Sequence, residues 1–427
     1  MVQQETHTPE TRSQTLTRRF LQSRELSLTL CEPLNIEDYG LQAAAEVSPP
    51  KWHLAHTSWF YETFILKSYL DNYNCINPRF EILFNSYYQG VGPQFSRPQR
   101  GLLSRPTLEE VLEYRKLVET QIVKLIQQQG ENQGLLNLVE LGINHEQQHQ
   151  ELLLTDIKYC FSFNPLLPAY IDPRKLGADE QASPSKMVSF EGADCITGTE
   201  SEAFHFDNET PAHKVYINDF KLANRLVTNG EYLEFIEDGG YQDAALWLSD
   251  GWDHINREGW KRPLYWHCRD GEWFEYTLHG LLPLQHSTPA THISYYEADA
   301  FARWAGKRLP TEFEWERAAG IYPEGRGQCL EHSIEKGCFI PQSAQTKFTL
   351  AQMIGDCWEW TSSAYAPYPG YRPLPGAVGE YNGKFMCNQY VLRGGSCVTT
   401  SEHIRTTYRN FFYPKDRWQF SGIRLAD

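Results

Sequence analysis

His145 and His149 stand four residues apart in the run Asn144-His145-Glu146-Gln147-Gln148-His149. On a helix, side chains at that spacing share one face, with Cβ atoms about 5–6 Å apart. Two imidazoles so placed reach one metal ion at roughly 2.0–2.2 Å, and neutral imidazole nitrogen suits zinc, iron, copper or nickel. The same run reads His-Glu-x-x-His, the zinc-protease pattern, in which Glu146 is the general base. Its extended form requires a glycine and a further histidine where this chain has Leu152 and Thr155. A metal pair, a protease pair and two ordinary packed histidines all remain open. A third ligand is available in Pro49-Pro50-Lys51-Trp52-His53-Leu54-Ala55-His56, where His53 and His56 follow a proline pair that suits a helix start. One of them pointing inward completes a site; the bland reading is that both are ordinary residues of an amphipathic helix.

Helices must hold these residues. The clearest covers 107–129: Thr107 and Glu110 make a capping box, and Leu108, Val111, Leu112, Arg115, Val118, Ile122, Leu125 and Ile126 recur at helical spacing before Gly130. A second runs from about Gly134 to Phe161 and carries Leu138, Leu141, His145, Gln148, His149, Leu152 and Asp156 along neighbouring rows. Weaker helical patterns cover 11–29 and 38–70, with a loop-rich insertion at 73–106. Four helices with inward-facing histidines read as a bundle, whose metal sites are built from side chains on facing helices. Prolines cluster between 162 and 187, which divides the chain into a helical domain 1–165, a linker 166–186 and a second domain 187–427. The second domain reads as short strands, at 187–190, 213–220 and 390–393, between Gly, Pro and Asn turns, with one clear helix at 295–305. The expected class is α+β. No repeat and no low-complexity tract interrupts it.

Bulk properties narrow the function. With 39 basic and 54 acidic residues the chain carries a net charge of −15, which argues against a nucleic-acid binder and a polybasic membrane anchor. No apolar run approaches the ~18 residues needed to span a bilayer, and the first residues lack the apolar core of a secretory signal. Ten scattered cysteines without a CxxC pair point to reduced thiols in a cytoplasmic protein.

Trp52-His53-Leu54-Ala55-His56, together with His145-Glu146-Gln147-Gln148-His149, resembles the DinB-like helical domain of the ergothioneine sulfoxide synthases (hercynine oxygenases). The second half resembles the formylglycine-generating-enzyme fold, a variant of the C-type lectin fold. Its matching blocks are Pro211-Ala212-His213-Lys214-Val215, Val227-Thr228-Asn229-Gly230-Glu231-Tyr232, Trp304-Ala305-Gly306-Lys307-Arg308-Leu309-Pro310-Thr311-Glu312, Gly355-Asp356-Cys357-Trp358-Glu359-Trp360 and Leu392-Arg393-Gly394-Gly395-Ser396. Formylglycine chemistry itself needs two nearby thiols after that last block, and only Cys397 follows it. Trp304, Trp315, Trp358 and Trp360 are read as core residues.

The resemblance implies an iron(II)- and O2-dependent enzyme that joins the sulfur of cysteine to imidazole C2 of hercynine (Nα-trimethylhistidine) in ergothioneine biosynthesis. It implies His56, His145 and His149 as ligands and His53 as a neighbour. Gln148 then meets the substrate imidazole, and Arg97 and Arg100 clamp the carboxylate of the thiol substrate. Tyr87 or Tyr88 supplies a proton, Tyr88 being the first choice. Asn410, Phe411 and Phe412 form a hercynine wall, with aromatic faces suited to a quaternary ammonium. Phe412 replaces an acidic residue of the actinobacterial branch, so free cysteine is the expected donor and γ-glutamylcysteine the alternative. Without the resemblance, Gln148 is a surface glutamine, the arginines a solvated loop and the tyrosines structural. Fe(2+) is the implied cofactor, and a structural Ca(2+) in the second domain stays open. The partners are small molecules, with no nucleic acid and no membrane; the oligomeric state is open. The competing readings are a zinc metalloprotease, a non-catalytic lectin-like module and a synthase acting on histidine itself, as in ovothiol formation.

Overall fold

Capping residues and proline placement set most of the helix starts. Thr11 accepts the Gln14 backbone N–H while the Gln14 side chain caps Thr11 in return, and helix α1 (Arg12–Thr29) follows. The structure, a computed structural model, describes residues 10–172, 182–345 and 347–427. The single helix expected over 38–70 is instead a 3₁₀ turn at Ile36–Gly40, then α2 (Pro50–Tyr61), a π-helical turn (Glu62–Leu66) and α3 (Lys67–Tyr69). The proline pair is the reason: Pro50 forces Pro49 into extended backbone (φ −63°, ψ 146°) and itself occupies the first helical turn. At the π turn, the buried Glu62 carboxylate accepts from the Tyr73 hydroxyl, the Ile76 N–H and the Tyr114 hydroxyl. Short α4 (Phe80–Phe84), then α5 (Leu108–Gln129) and α6 (Gln133–Ser162), complete the helical part. The Thr107–Glu110 box caps α5 as expected. Gly130 ends it in right-handed backbone (φ −62°) and not in the left-handed form that glycine permits.

The chain forms two compact units, Met1–Leu153 and Leu154–Asp427. Residues 173–181 of the expected linker lie outside the described residues. In the first unit, the fully buried row of α6 is Leu135, Val139, Ile143, Glu146, Gln150 and Leu153. Of the row read from sequence, Leu138, Leu141, Gln148, His149 and Leu152 are half-buried, while His145 and Asp156 are buried. Gly142 lets α2 approach α6, because a Cβ there would overlap the Tyr61 ring.

The second unit contains eleven strands among its described residues. β1 (Met187–Phe190) pairs with β4 (Phe220–Ala223), and β2 (Ala193–Thr197) with β3 (His213–Ile217), both antiparallel. The strand expected at 213–220 is thus two strands, separated at Asn218-Asp219. β5 (Trp266–Arg269), β6 (Glu272–Thr277) and β7 (Gly280–Pro283) form a meander. The largest sheet has the order β10 (Asn410–Phe412), β9 (Tyr390–Arg393), β8 (Trp358–Ala364), β11 (Ser421–Gly422), the last pair parallel. Five helices accompany these strands where one was expected: α7 (Asn229–Glu237), α8 (Ser249–Glu258), α9 (Tyr295–Trp304), α10 (Glu312–Ile321) and α11 (Leu330–Lys336). Trp315, Trp358 and Trp360 are buried, whereas Trp304 is half-exposed and donates its indole N–H to Asp238. Buried Arg424 holds Glu359 through two bonds, and Trp315 donates to the same carboxylate. The ten cysteines all lie among the described residues and form no disulfide.

Candidate metal centre

His56 comes from the middle of α2, His145 and His149 from consecutive turns of α6. One ring nitrogen from each lies within 4.8 Å of the others, and among the described residues this is the only such cluster of three or more His, Cys, Asp or Glu. Nitrogens at that separation are close enough to share an ion bound at about 2.0–2.1 Å to imidazole. His53, the other histidine of α2, lies outside this group.

The hydrogen bonds fix the ring orientations. His56 Nδ1 lies 2.5 Å from the Phe84 carbonyl. A carbonyl only accepts, so this nitrogen carries the proton and Nε2 keeps its lone pair. His149 Nδ1 lies 2.8 Å from His53 Nδ1; with His53 as acceptor, Nε2 of His149 is likewise left as a donor to metal. His145 is held by its ring, stacked on Phe60 at 4.5 Å and 27°, and its Nδ1 is buried without a hydrogen-bond partner among the described residues. Partners on the far nitrogen orient metal-ligating histidines, so the residues present fit a resident metal. Burial holds the His145 imidazole down at about 3. Burial, then neighbouring charges, puts His56 and His149 well below the ordinary histidine value. All three rings are neutral, the ligating form.

Glu146 points away from this group. It lies on the buried row of α6, 3.1 Å from Arg24 and 2.9 Å from Arg115, and Ser27 donates to it at 2.7 Å. Burial opposes its ionisation, but the two guanidiniums and the Ser27 hydroxyl prevail and hold its carboxyl at about 2. A carboxylate committed to two arginines is not positioned as the base of a metalloprotease. That reading therefore loses its catalytic group.

The other expected site residues fall into separate groups. Asn85 braces the tyrosine loop by accepting the Tyr88 N–H and donating to the Tyr88 carbonyl. Tyr88 is buried, its ring 5.6 Å from Trp59 and 5.0 Å from Phe64. Tyr87 accepts from Arg97 at 2.7 Å. Arg100 is buried on the Trp52 ring and donates to Ser48 and Ser86. Gln148 is half-buried beside His149 on α6. Asn410, Phe411 and Phe412 make up β10 of the second unit. There the Asn410 side chain accepts the Phe411 N–H, Phe411 stacks on Tyr365 at 4.2 Å, and Phe412 meets Trp418 edge-on. Sequence reasoning named His53 only as a neighbour of the ligands and missed the roles of the Phe84 carbonyl, Trp52 and Trp59. The tryptophans left a signal, for they stand at i−4 and i+3 from His56.

Comparison with known proteins gives two family matches. Residues 19–153 match the DinB superfamily, and residues 173–427 match the sulfatase-modifying factor enzyme 1-like domain. The chain is 31 % identical to the hercynine oxygenase of Mycolicibacterium smegmatis over 97 % of its own length and 98 % of that protein. It is 33 % identical to the hercynine oxygenase of Mycobacterium tuberculosis over 66 % of its length and 70 % of that protein. With the hercynine oxygenase of Mycolicibacterium thermoresistibile it shares 29 % identity over 96 % and 94 %.

Proposed function

The chain belongs to the hercynine oxygenase family, a DinB-like helical domain followed by a sulfatase-modifying-factor-like domain in an α+β protein, and from that premise we propose that it is an iron(II)- and O2-dependent sulfoxide synthase of ergothioneine biosynthesis. The reaction joins the sulfur of cysteine to imidazole C2 of hercynine. A C–H and an S–H bond are lost, a C–S and an S–O bond form, and O2 takes up four electrons to give the sulfoxide oxygen and one water. The observation that supports this most is the all-nitrogen triad of His56, His145 and His149, the first two buried and the third half-buried, in a chain of this family.

An iron held there would supply oxygen activation. The side chains do the rest. His56, His145 and His149, as neutral imidazoles, would hold the ion. Trp52, Trp59 and Phe60 pack against the ligand rings and keep water from that side. Arg97 and Arg100 are assigned the carboxylate of the thiol substrate. Gln148 is assigned the hercynine imidazole. Tyr88, or Tyr87 beside it, donates a proton as oxygen is reduced. Among the described residues no helix is long and apolar enough to cross a membrane; the proposed location is the cytoplasm.

γ-Glutamylcysteine is the second donor to test, and Phe412 is the residue that favours free cysteine over it. Oxygen uptake with iron(II), hercynine and each thiol in turn decides both points. Uptake with cysteine and formation of the hercynine–cysteine sulfoxide is expected. No uptake with either thiol overturns the function, and uptake with γ-glutamylcysteine alone overturns the donor.

A further inference from the structure

His56 lies in a column of flat groups that metal ligation alone does not require. Trp52, one turn before it on α2, stacks on the imidazole at 4.5 Å with 12° between planes. Trp59, one turn after it, covers the other face at 5.3 Å and 14°. Both indoles are buried. Two consecutive carbonyls at the end of α4 fix the edges: Leu83 accepts the Trp52 indole N–H at 3.2 Å, and Phe84 accepts from His56. On the far face of Trp52 sits Arg100, its guanidinium carbon 3.4 Å from the ring centroid. The guanidinium is buried and donates to the Ser48 hydroxyl at 2.9 Å and the Ser86 hydroxyl at 3.0 Å. Among the described residues no comparable stack flanks His149, whose ring contacts with Trp52, His53 and His56 are tilted and with His145 edge-on.

Two consequences follow from elementary physics. An imidazole between two parallel indoles has one available ring plane, so its lone pair is aimed before any ion arrives. A permanent cation on the outer face of the inner indole draws electron density from that π system. Because both groups are buried, solvent does little to screen the charge.

We propose that Arg100, Trp52 and Trp59 are positioning residues of the metal centre: the indoles lock the plane of His56, and the Arg100 charge, acting through Trp52, weakens that one ligand as a donor and raises the reduction potential of bound iron. The inference rests on the reading of the triad as an iron site. It gives Arg100 a function that needs no substrate.

The test uses the full-length protein without substrates, anaerobically. Metal affinity is followed through the visible absorption of bound Co(II), and the potential of bound iron by mediated redox titration. Trp52→Leu and Trp59→Leu are expected to weaken metal binding about tenfold, the lower end for loss of an outer-shell partner, and to alter the Co(II) spectrum. Arg100→Gln is expected to lower the potential. Arg100→Lys, which keeps the charge, restores it, and Arg97→Gln leaves it where it was. An Arg100→Gln potential equal to wild type, or wild-type affinity and spectrum in Trp52→Leu, overturns the proposal. Should Trp52→Leu fail to fold, Trp52→Phe and the Arg100 pair carry the same decision. Wild-type protein that binds neither metal overturns the iron reading along with it, whereas metal binding with an unmoved potential overturns this inference alone.

Discussion

His145 and Glu146 are neighbours in the chain with opposite commitments, and their substitutions separate accordingly. Glu146→Gln leaves Arg24 and Arg115 buried around a neutral amide. Breaking a buried ion pair from one side costs about 3–5 kcal/mol, so denaturant unfolding should show a loss of that size while the folded fraction still binds Co(II). A metalloprotease predicts the reverse, intact stability with lost hydrolysis. His149→Ala should abolish metal binding and turnover together; an iron-free His149→Ala protein with full activity would sink the triad. Tyr88→Phe should divert product toward cysteine sulfinate, and the same outcome from Tyr87→Phe alone would reverse the order of the pair. The pH dependence follows from the direction of the Glu146 shift. Its carboxyl is held at about 2 in the native state against an ordinary 4.5, so the unfolded chain binds this proton more tightly. The stabilisation is complete above the ordinary value and is lost as pH falls from there toward about 2. The stability gap between wild type and Glu146→Gln should close over that interval.

At the scale of elements, α2 and α6 matter most, and they were legible to different degrees. The i, i+4 pair on α6 was visible because it is local. Which way its rows face was not, since the apolar positions Leu138, Leu141 and Leu152 compete with Leu135, Val139 and Ile143, and only the tertiary partners of Glu146 decide. His56 could not be chosen over His53 from spacing; the resemblance chose it, and the structure places His56 with the α6 pair. The start of α2 was written in Pro49-Pro50 yet was overrun by the helical pattern on either side. In the second unit, Thr228–Glu231, Ser294–Glu297 and Thr311–Glu314 are capping boxes of the same form as Thr107–Glu110. Two of the three helices they begin were missed, because their apolar runs are too short to show a period. Thr311→Ala should therefore cost about 1 kcal/mol, read from the unfolding midpoint. Gly142→Ala tests the approach of α2 to α6. Alanine is the better helix former by about 1 kcal/mol, so a gain in stability is expected from propensity alone. The overlap with Tyr61 predicts a loss, together with weaker Co(II) binding as His56 is displaced from the α6 pair.

For the whole molecule, a metal held by the proposed triad would be a folding ligand. His56 is far from His145 and His149 in sequence, so the unfolded chain presents at most the weak i, i+4 pair and only the native state presents three rings. Metal at a hundredfold excess over its dissociation constant should then stabilise the chain by about 2.7 kcal/mol. A competing explanation must be separated from this. The chain carries a net charge of −15, and any divalent cation that relieves self-repulsion also favours the compact state. Mg(II) tells the two apart, because it takes oxygen ligands and does not bind imidazole appreciably. Co(II) is expected to raise the unfolding midpoint and Mg(II) at the same concentration to leave it unchanged. His145→Ala should remove the Co(II) increment while leaving the metal-free protein folded, since His145 is neutral and its Nδ1 is without a hydrogen-bond partner among the described residues. Equal shifts from Co(II) and Mg(II), or an increment that survives His145→Ala, would mean that charge relief rather than the three histidines accounts for the effect.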